Sequence, residues 1–382
     1  MYISRNIEQS VRDSLADNPV TAIIGPRQCG KSTLARHILK EFEAKVFIDL
    51  ERPSDLAKLE SPELFLESQK GKLICLDEIQ RKPEIFPLIR SLVDDWGGSG
   101  HFLILGSASV EMLKQSSESL AGRISYKTLT PFLFEELSSK KLLPDYMWRG
   151  GYPRSILTGS DRASYSWRED MIRTYVERDL LQWAGVSSVT VLRLWKMLAY
   201  LNGQTINHSQ LSNSLGVSSV TVRNYMDLLT STFMITPILP YLPNLGKRLI
   251  RNSKVYISDP GLACTLLELR SFEQLLGNPA FGSIWELIVL SQIRGKYPTA
   301  ELYHYRTSHG DEIDFLLRYK NKLFAIECKA SASPSLTKGN YRCINDLKPD
   351  KTFIVAPVSS GWIFNSGILV VNQDELLEQL SV

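Results

Sequence analysis

Cysteine is scarce and scattered in this chain. Its five cysteines, Cys29, Cys75, Cys264, Cys328 and Cys343, are odd in number and contain no CxxC pair. That pattern argues against a disulfide framework and against a thiolate zinc site. Long apolar runs are also lacking, and none approaches the ~20 residues that a membrane span needs. Residues 1–8 (MYISRNIE) lack the basic, apolar, small order of a secretory signal. A cytoplasmic protein without a membrane partner is therefore expected. Neither sign of charge dominates: 44 Lys and Arg stand against 41 Asp and Glu, a net charge of +3. Any nucleic-acid footprint must then be a local basic face rather than a global excess. There is no low-complexity tract and no internal repeat. What remains is ordinary globular composition over 382 residues, too many for one core, so two or three domains are expected.

The most informative segment is Gly25-Pro26-Arg27-Gln28-Cys29-Gly30-Lys31-Ser32, which completes the phosphate-loop pattern GxxxxGK(S/T). Residues 20–24 (VTAII) before it read as a buried strand, and residues 33–39 (TLARHIL) as the first turns of a helix. In that context loop N–H groups and the helix N-terminus cradle an anion. The expected nucleotide contacts are Gly25, Pro26, Arg27, Gln28, Cys29, Gly30, Lys31, Ser32 and Thr33. Lys31 would reach the terminal phosphates and Ser32 would help to hold Mg²⁺. ATP and Mg²⁺ are the expected cofactors.

A second strand, residues 72–76, ends in Asp77-Glu78. Ligands of open α/β sheets sit at the carboxyl ends of the strands, so both acids would face the phosphates. Asp77 would hold Mg²⁺ through its water shell or through Ser32, and Glu78 would orient and deprotonate the attacking water. Acids at a strand end also cap helices. The strand of residues 101–106 leads into Ser107, which is either a polar sensor of the γ-phosphate or a helix N-cap. Arg123 precedes the strand at residues 124–126. It is either an arginine supplied to a neighbouring subunit's nucleotide or a salt-bridge arginine. A homo-oligomer, with a hexamer among the forms considered, follows from the first reading.

The order GPRQCGKS, LICLDEIQ, LILGSAS, LAGR resembles the ATPase domain of a prokaryotic AAA+ group, the AAA-14 type, over residues 1 to about 136. Residues 129–137, Gly150-Gly151-Tyr152-Pro153 and residues 175–180 also resemble that group, whose C-terminal region has no assigned function. The resemblance implies ATP binding and hydrolysis.

Residues 140–185 turn helical and aromatic, with Trp148, Tyr152, Tyr165, Trp167, Tyr175 and Trp183. Then helical patterns at residues 191–200, 207–215 and 219–229, with a Gly216-Val217-Ser218 turn, read as a helix-turn-helix. Strands at residues 232–239 and 254–258 could form its wing. In a DNA reader, Ser218, Ser219, Thr221, Arg223 and Asn224 would meet the major groove. Lys247, Arg248 and Arg251 would add phosphate contacts. Such units also serve as lids or protein-docking modules, and Arg223 is the single basic residue of the third helix.

Towards the C-terminus, Asp314 on one strand and Glu327-Cys328-Lys329 on the next, joined by a turn at Lys320-Asn321, resemble the PD-(D/E)xK nuclease core. Helical Glu286 matches the additional metal-ligand glutamate of that superfamily, while Ile313 stands where proline is usual. The resemblance implies Glu286, Asp314 and Glu327 as ligands of a divalent ion, with Lys329 stabilising phosphorane charge. Alternation in Ile313-Phe315-Leu317 and Phe324-Ile326-Cys328 predicts a hairpin with one buried face. His304 and His309 receive no role.

The expected α/β architecture is thus an N-terminal P-loop AAA+ parallel sheet (1–140), a helical connector or lid (141–188), a central winged helix-turn-helix (189–258) and a C-terminal restriction-endonuclease-like α/β domain (259–382). The expected activity is ATP hydrolysis acting on DNA, with an Mg²⁺-dependent nuclease-like domain. The alternative is an ATPase switch whose C-terminal domain is a non-catalytic protein- or DNA-binding module.

Overall fold

Five short strands begin the fold: β1 (Val20–Ile24), β2 (Lys45–Asp49), β3 (Leu73–Asp77), β4 (Phe102–Gly106) and β5 (Ile124–Thr128). In this computed structural model, residues 2–107, 120–137, 141–180, 187–242, 250–365 and 367–381 are described, apart from the side chains of 178 and 179. Every residue of β1, β3 and β4 is buried, as continuous apolar strands of a parallel sheet must be when helices cover both faces. Alternate residues part to opposite sides. Val20, Ala22, Ile24, Ile74, Leu76, Phe102 and Ile104 join one core. Ile23, Leu73, Cys75, Leu103 and Leu105 join the other. The pairing is parallel throughout and the order is β2-β3-β4-β1-β5. With β4 between β1 and β3, the ends of three strands lie side by side where the phosphate loop leaves β1.

The described residues form two compact units: Met1–Phe132 with Ser231–Phe233, and Leu133–Thr230 with Met234–Val382. The second holds a nine-stranded sheet of order β13-β14-β12-β11-β10-β9-β7-β8-β6. Its strands are β6 (Gln204–Thr205), β7 (Ile235–Pro240), β8 (Lys254–Ile257), β9 (Glu301–Arg306), β10 (Glu312–Tyr319), β11 (Lys322–Cys328), β12 (Lys351–Val355), β13 (Trp362–Asn365) and β14 (Ile368–Val371). The sequence-based boundaries near residues 188 and 258 fall inside this unit. The physical link is β7, which pairs antiparallel with β8 and, through Leu239 and Pro240, parallel with β9. The strands expected as a wing are therefore continuous with the C-terminal sheet.

The three helices expected around residues 188–231 are present as Ser188–Tyr200, His208–Leu215 and Ser219–Ser231. Asn207 caps the second by accepting from Ser209 and Gln210 N–H. Gly216 ends it at φ 69°, a left-handed conformation that glycine adopts without steric cost. Lys247 and Arg248 lie outside the described residues.

The β10–β11 hairpin turns at Lys320 and Asn321, both at positive φ, as two-residue hairpin loops require. The expected one-sided burial does not hold: Ile313 to Leu317 and Phe324 to Cys328 are all buried. A register shift between Ile313 and Leu316 against β9 interrupts the alternation and brings both residues into one core cluster with Ala325.

Residues 148–168 are pinned into the second unit by buried polar groups. The Arg168 side chain, fully buried, donates to the carbonyls of Trp148 at 2.6 Å and Gly261 at 2.7 Å. Asp259 caps the helix Pro260–Leu266 through Leu262 N–H at 2.9 Å and also accepts from Gly151 N–H at 2.7 Å. A Cβ at Gly150 would lie 2.2 Å from Asp259 Oδ1, so glycine at position 150 is dictated by this carboxylate. All five cysteines are buried and unpaired by disulfides. No helix among the described residues is long and apolar enough to cross a membrane.

Burial raises the Asp259 carboxyl from 3.8 to about 6 against the opposing pull of Gly151 and Leu262 N–H. A carboxyl whose folded pKa is raised binds more protons folded than unfolded, so its contribution falls as pH rises from about 4 to about 6. Asp259→Asn is expected to flatten the pH dependence of the unfolding midpoint across that window. It should lower the midpoint at every pH, because an amide cannot accept both N–H groups. An unchanged pH slope in the variant would refute the assignment.

Candidate functional site

The phosphate loop is held in shape by backbone constraints that its residue types satisfy. Gly25 has φ 153°, and a Cβ there would lie 2.1 Å from the Leu129 carbonyl oxygen, because Leu129 N–H bonds Ile24 O across the sheet at 2.7 Å. Gln28 and Gly30 are left-handed, at φ 60° and 106°. Gly30 is the N-cap of the helix Lys31–Ile38, so loop and helix N-terminus meet as anion binding requires. Pro26 and Cys29 are buried and Arg27 is half-buried, while Thr33 is exposed in the first helical turn. Burial pushes the Cys29 thiol up, which makes it an inert packing residue.

Lys31 is buried, and its ammonium donates to Gly25 O at 3.0 Å, Pro26 O at 2.8 Å and Ser107 Oγ at 3.0 Å. Ser107 Oγ in turn lies 3.3 Å from both Glu78 carboxylate oxygens. One hydrogen-bond chain thus joins the loop after β1, the end of β4 and the end of β3. Glu78 sits at φ 57°, ψ 47°, a left-handed conformation costing a non-glycine residue about 1–3 kcal/mol and common at functional sites. Gln80 Nε2 donates to Glu78 Oε2. Burial pushes the Asp77 carboxyl up, opposed by a hydrogen bond from Ser32. A buried carboxylate beside a hydroxyl at a phosphate loop is an all-oxygen donor pair that fits Mg²⁺.

One feature escaped sequence reasoning. Arg5, buried far from the loop in sequence, donates to Cys29 O at 3.2 Å and Thr130 O at 2.7 Å and lies 4.4 Å from the Phe132 ring centroid. It holds the loop from behind, and no local pattern announces it. Arg123 is at the opposite end of the sheet from the loop, about 16 Å away along a five-residue strand. Its carbonyl accepts from Val20 N–H at 3.1 Å. Its guanidinium forms a bidentate pair with Asp94, at 2.5 and 2.9 Å. Arg123 therefore does not serve its own chain's loop.

In the second unit, Glu286, Asp314, Glu327 and Lys329 do come together. Asp314 Oδ2 accepts from Cys328 N–H at 2.9 Å, and Glu327 Oε2 lies 3.4 Å from Asp314 N. Lys329 Nζ bonds Glu327 Oε1 at 2.7 Å. Glu286, on the helix Phe281–Lys296, accepts from Tyr256 OH at 3.0 Å. Asp314 and Glu327 are buried, whereas Glu286 and Lys329 are partly exposed. Burial, with the Asp314 charge second, pushes both Glu286 and Glu327 up. An unexpected member completes the group: Lys254 of β8, 1% exposed, lies 2.8 Å from Glu312 Oε1 and 3.4 Å from Asp314 Oδ1. Arg306 pairs with the other Glu312 oxygen at 2.9 Å. Among the described residues no group of three or more His, Cys, Asp or Glu is placed to hold a metal ion. The carboxylates expected as metal ligands are engaged by N–H, O–H and ammonium groups instead, so they do not fit a divalent ion as arranged.

His304 Nε2 contacts Asn252 O at 3.0 Å, and burial lowers its pKa to about 4, so it is a neutral structural histidine. On the helix Ser219–Ser231, Arg223 and Asn224 are exposed, but so are Val220 and Asp227. Ser218 is spent on capping, accepting from Thr221 N–H at 3.0 Å. Arg251 is exposed.

Comparison with known proteins agrees with the first unit's geometry. Residues 17–138 match an AAA domain, and residues 140–273 and 281–373 match two domains of unknown function, DUF8612 and DUF4143. Uncharacterized proteins of Mycobacterium tuberculosis (Rv2008c) and Mycobacterium bovis (Mb2031c) are each 35% identical over 380 residues, 99% of this chain and 85% of theirs. The Walker-type ATPase PABY2304 of Pyrococcus abyssi is 16% identical with a TM-score of 0.48, over 70% of this chain and 96% of that one. The chain belongs to the same family as the two mycobacterial proteins, and its first unit is a P-loop ATPase domain of the AAA type.

Proposed function

We propose that the protein hydrolyses ATP with Mg²⁺ in its first unit and that its second unit is a binding module for DNA. The observation that carries the first half is the hydrogen-bond chain from Lys31 through Ser107 to Glu78. It gathers at one point the three groups that a terminal phosphate and an attacking water need. The N–H groups of the loop and of the helix N-terminus, Pro26 having none, would face the phosphates, and Lys31 would exchange the carbonyls of Gly25 and Pro26 for phosphate oxygens, a stronger charge-assisted bond. Ser32 and Asp77 would hold Mg²⁺, which would supply positive charge to neutralise the phosphates. Ser107 bonds the γ-phosphate, and Glu78 orients the water and takes its proton. Arg123 acts across a contact between copies of the chain, giving up Asp94 to neutralise a neighbour's nucleotide.

The DNA reading rests on the helix pair His208–Leu215 and Ser219–Ser231 with its Gly216 turn, read as a winged helix-turn-helix with Arg223 and Asn224 outward. The nuclease reading has the convergence of Glu286, Asp314, Glu327 and Lys329 in its favour. The Lys254 ammonium among their oxygens favours binding without cleavage in a restriction-endonuclease-like fold. Five free thiols suit the reducing cytoplasm.

ATP turnover measured with Mg²⁺, with and without duplex, forked and single-stranded DNA, tests both halves when products are run on gels. The expected result is turnover that DNA stimulates, with every DNA form left intact. Absence of turnover under all conditions would end the ATPase reading; turnover and mobility indifferent to every DNA would end the DNA reading.

Lys31→Ala is expected to abolish ATP binding or turnover, because among the described residues no other ammonium bonds the loop. Glu78→Gln should keep ATP binding and lower turnover about a hundredfold or more, since the amide retains shape and cannot accept the proton. Full turnover in the Gln variant would remove Glu78 from the mechanism. Mixing Arg123→Ala with Lys31→Ala protein should restore part of the activity that each lacks. Unimpaired activity of Arg123→Ala alone would refute the role across subunits.

A further inference from the structure

The wing-like strand β8 sends Lys254 and Tyr256, two residues apart and so on one face, into the carboxylate cluster. Tyr256 packs against Phe315 with tilted rings, 5.7 Å between centroids, and donates its hydroxyl to Glu286. Lys254 reaches Glu312 at 2.8 Å and Asp314 at 3.4 Å while only 1% of it remains exposed. An ammonium is tolerated at such a depth only when carboxylates compensate it. Here they do: burial alone would lower its pKa, but Asp314, Glu286 and Glu312 outweigh burial and raise it. Lys254 is a cation at neutral pH.

A divalent ion in this position would require free oxygens at about 2.0–2.6 Å from it. Each of these carboxylates has at least one oxygen otherwise employed. Asp314 gives Oδ2 to Cys328 N–H and Oδ1 to Lys254, and Glu327 gives Oε1 to Lys329. Glu286 gives Oε2 to Tyr256. We propose that the Lys254 ammonium is the resident cation of this cluster, standing where a divalent ion would stand, so that the nuclease-like frame is kept without a metal. A tethered ammonium balances charge, but it has no open coordination position at which to generate hydroxide. The inference deepens the reading of the second unit as a binding module and rests on it.

Mn²⁺ is the probe, titrated calorimetrically in the absence of nucleotide into full-length Asp77→Asn protein, which lacks the acidic ligand expected at the phosphate loop. With Lys254 intact, no stoichiometric binding is expected up to millimolar Mn²⁺. Adding Lys254→Met should create one site per chain at least tenfold tighter, and Asp314→Asn should abolish it again. If Lys254→Met fails to fold, Lys254→Met combined with Glu312→Gln removes one charge of each sign and serves in its place. Mn²⁺ binding with Lys254 intact that Asp314→Asn abolishes overturns the proposal. So does a folded Lys254→Met protein that binds none. DNA mobility shifts on the same proteins separate the two readings. Loss of DNA binding to intact protein sinks the binding module, whereas the Mn²⁺ titration alone decides what Lys254 replaces.

Discussion

The first unit depends on one topological constraint, the insertion of β4 between β1 and β3. Parallel strands put their carboxyl ends on one edge, so the three chain segments leaving β1, β4 and β3 are the phosphate loop, Ser107 and Asp77-Glu78. Strand spacing is about 4.8 Å, too wide for β1 and β3 residues to share a water directly across β4 without an intermediary. Ser107 supplies it, 3.0 Å from Lys31 and 3.3 Å from Glu78. A hydroxyl can donate to one partner and accept from another, so a serine at this point bridges an ammonium to a carboxylate where an alanine could not.

The loop was legible in the sequence because its chemistry is local: eight consecutive residues carry glycines, ammonium and hydroxyl. Asp77 and Glu78 were legible for the same reason, at the end of an apolar strand. Partners distant in sequence were not. Arg5 supports Cys29 and Thr130 from 24 and 125 residues away. Lys254 meets Asp314 across 60 residues, and read locally it is only the polar start of a wing strand. The hairpin turn at Lys320-Asn321 was visible, whereas the register shift between Ile313 and Leu316 was not. Such irregularities re-aim side chains beside functional sites, and this one breaks the alternation on which the one-sided hairpin rested. The same nonlocality explains the segment boundaries: the pairing of β7 with β9 extends over Leu239 and Pro240 alone, and no local periodicity announces a two-residue bridge.

Backbone strain shapes the candidate site of the first unit, whereas buried charge ties together the segments around the cluster of the second. The first unit places left-handed residues at Gln28 and Glu78, where the loop and the strand end must each turn towards a common point. Strain of this kind persists only when surrounding packing over-determines it, and Ile79, next to Glu78, is fully buried in one of the sheet's two cores. In the second unit, buried charged groups join distant segments. Arg168 among carbonyls, Asp259 between two N–H groups and Lys254 among carboxylates each tie together segments far apart in the chain. Removing one partner of such a group leaves the other buried and uncompensated, which costs more than the bond itself is worth.

That difference bears on what the carboxylate cluster can do. Metal-assisted phosphodiester cleavage needs a cation that binds substrate oxygen and water in positions the protein leaves open. Lys254 is covalently tethered, fully buried and bonded to Glu312 and Asp314, so it offers no such position. Its three hydrogens can only donate, and the carboxylates around it are thereby held as acceptors within the protein. The partly exposed members, Glu286 and Lys329, are what a bound molecule would meet first. A cluster arranged in this way stabilises the junction of β8, β10, β11 and the helix Phe281–Lys296, and presents a fixed mixture of charge at its mouth. The ATP site has the opposite design: Lys31 is bonded to backbone carbonyls of the loop itself, neutral partners that a phosphate can displace. On the proposed reading, one lysine is positioned to be exchanged during turnover, the other to stay.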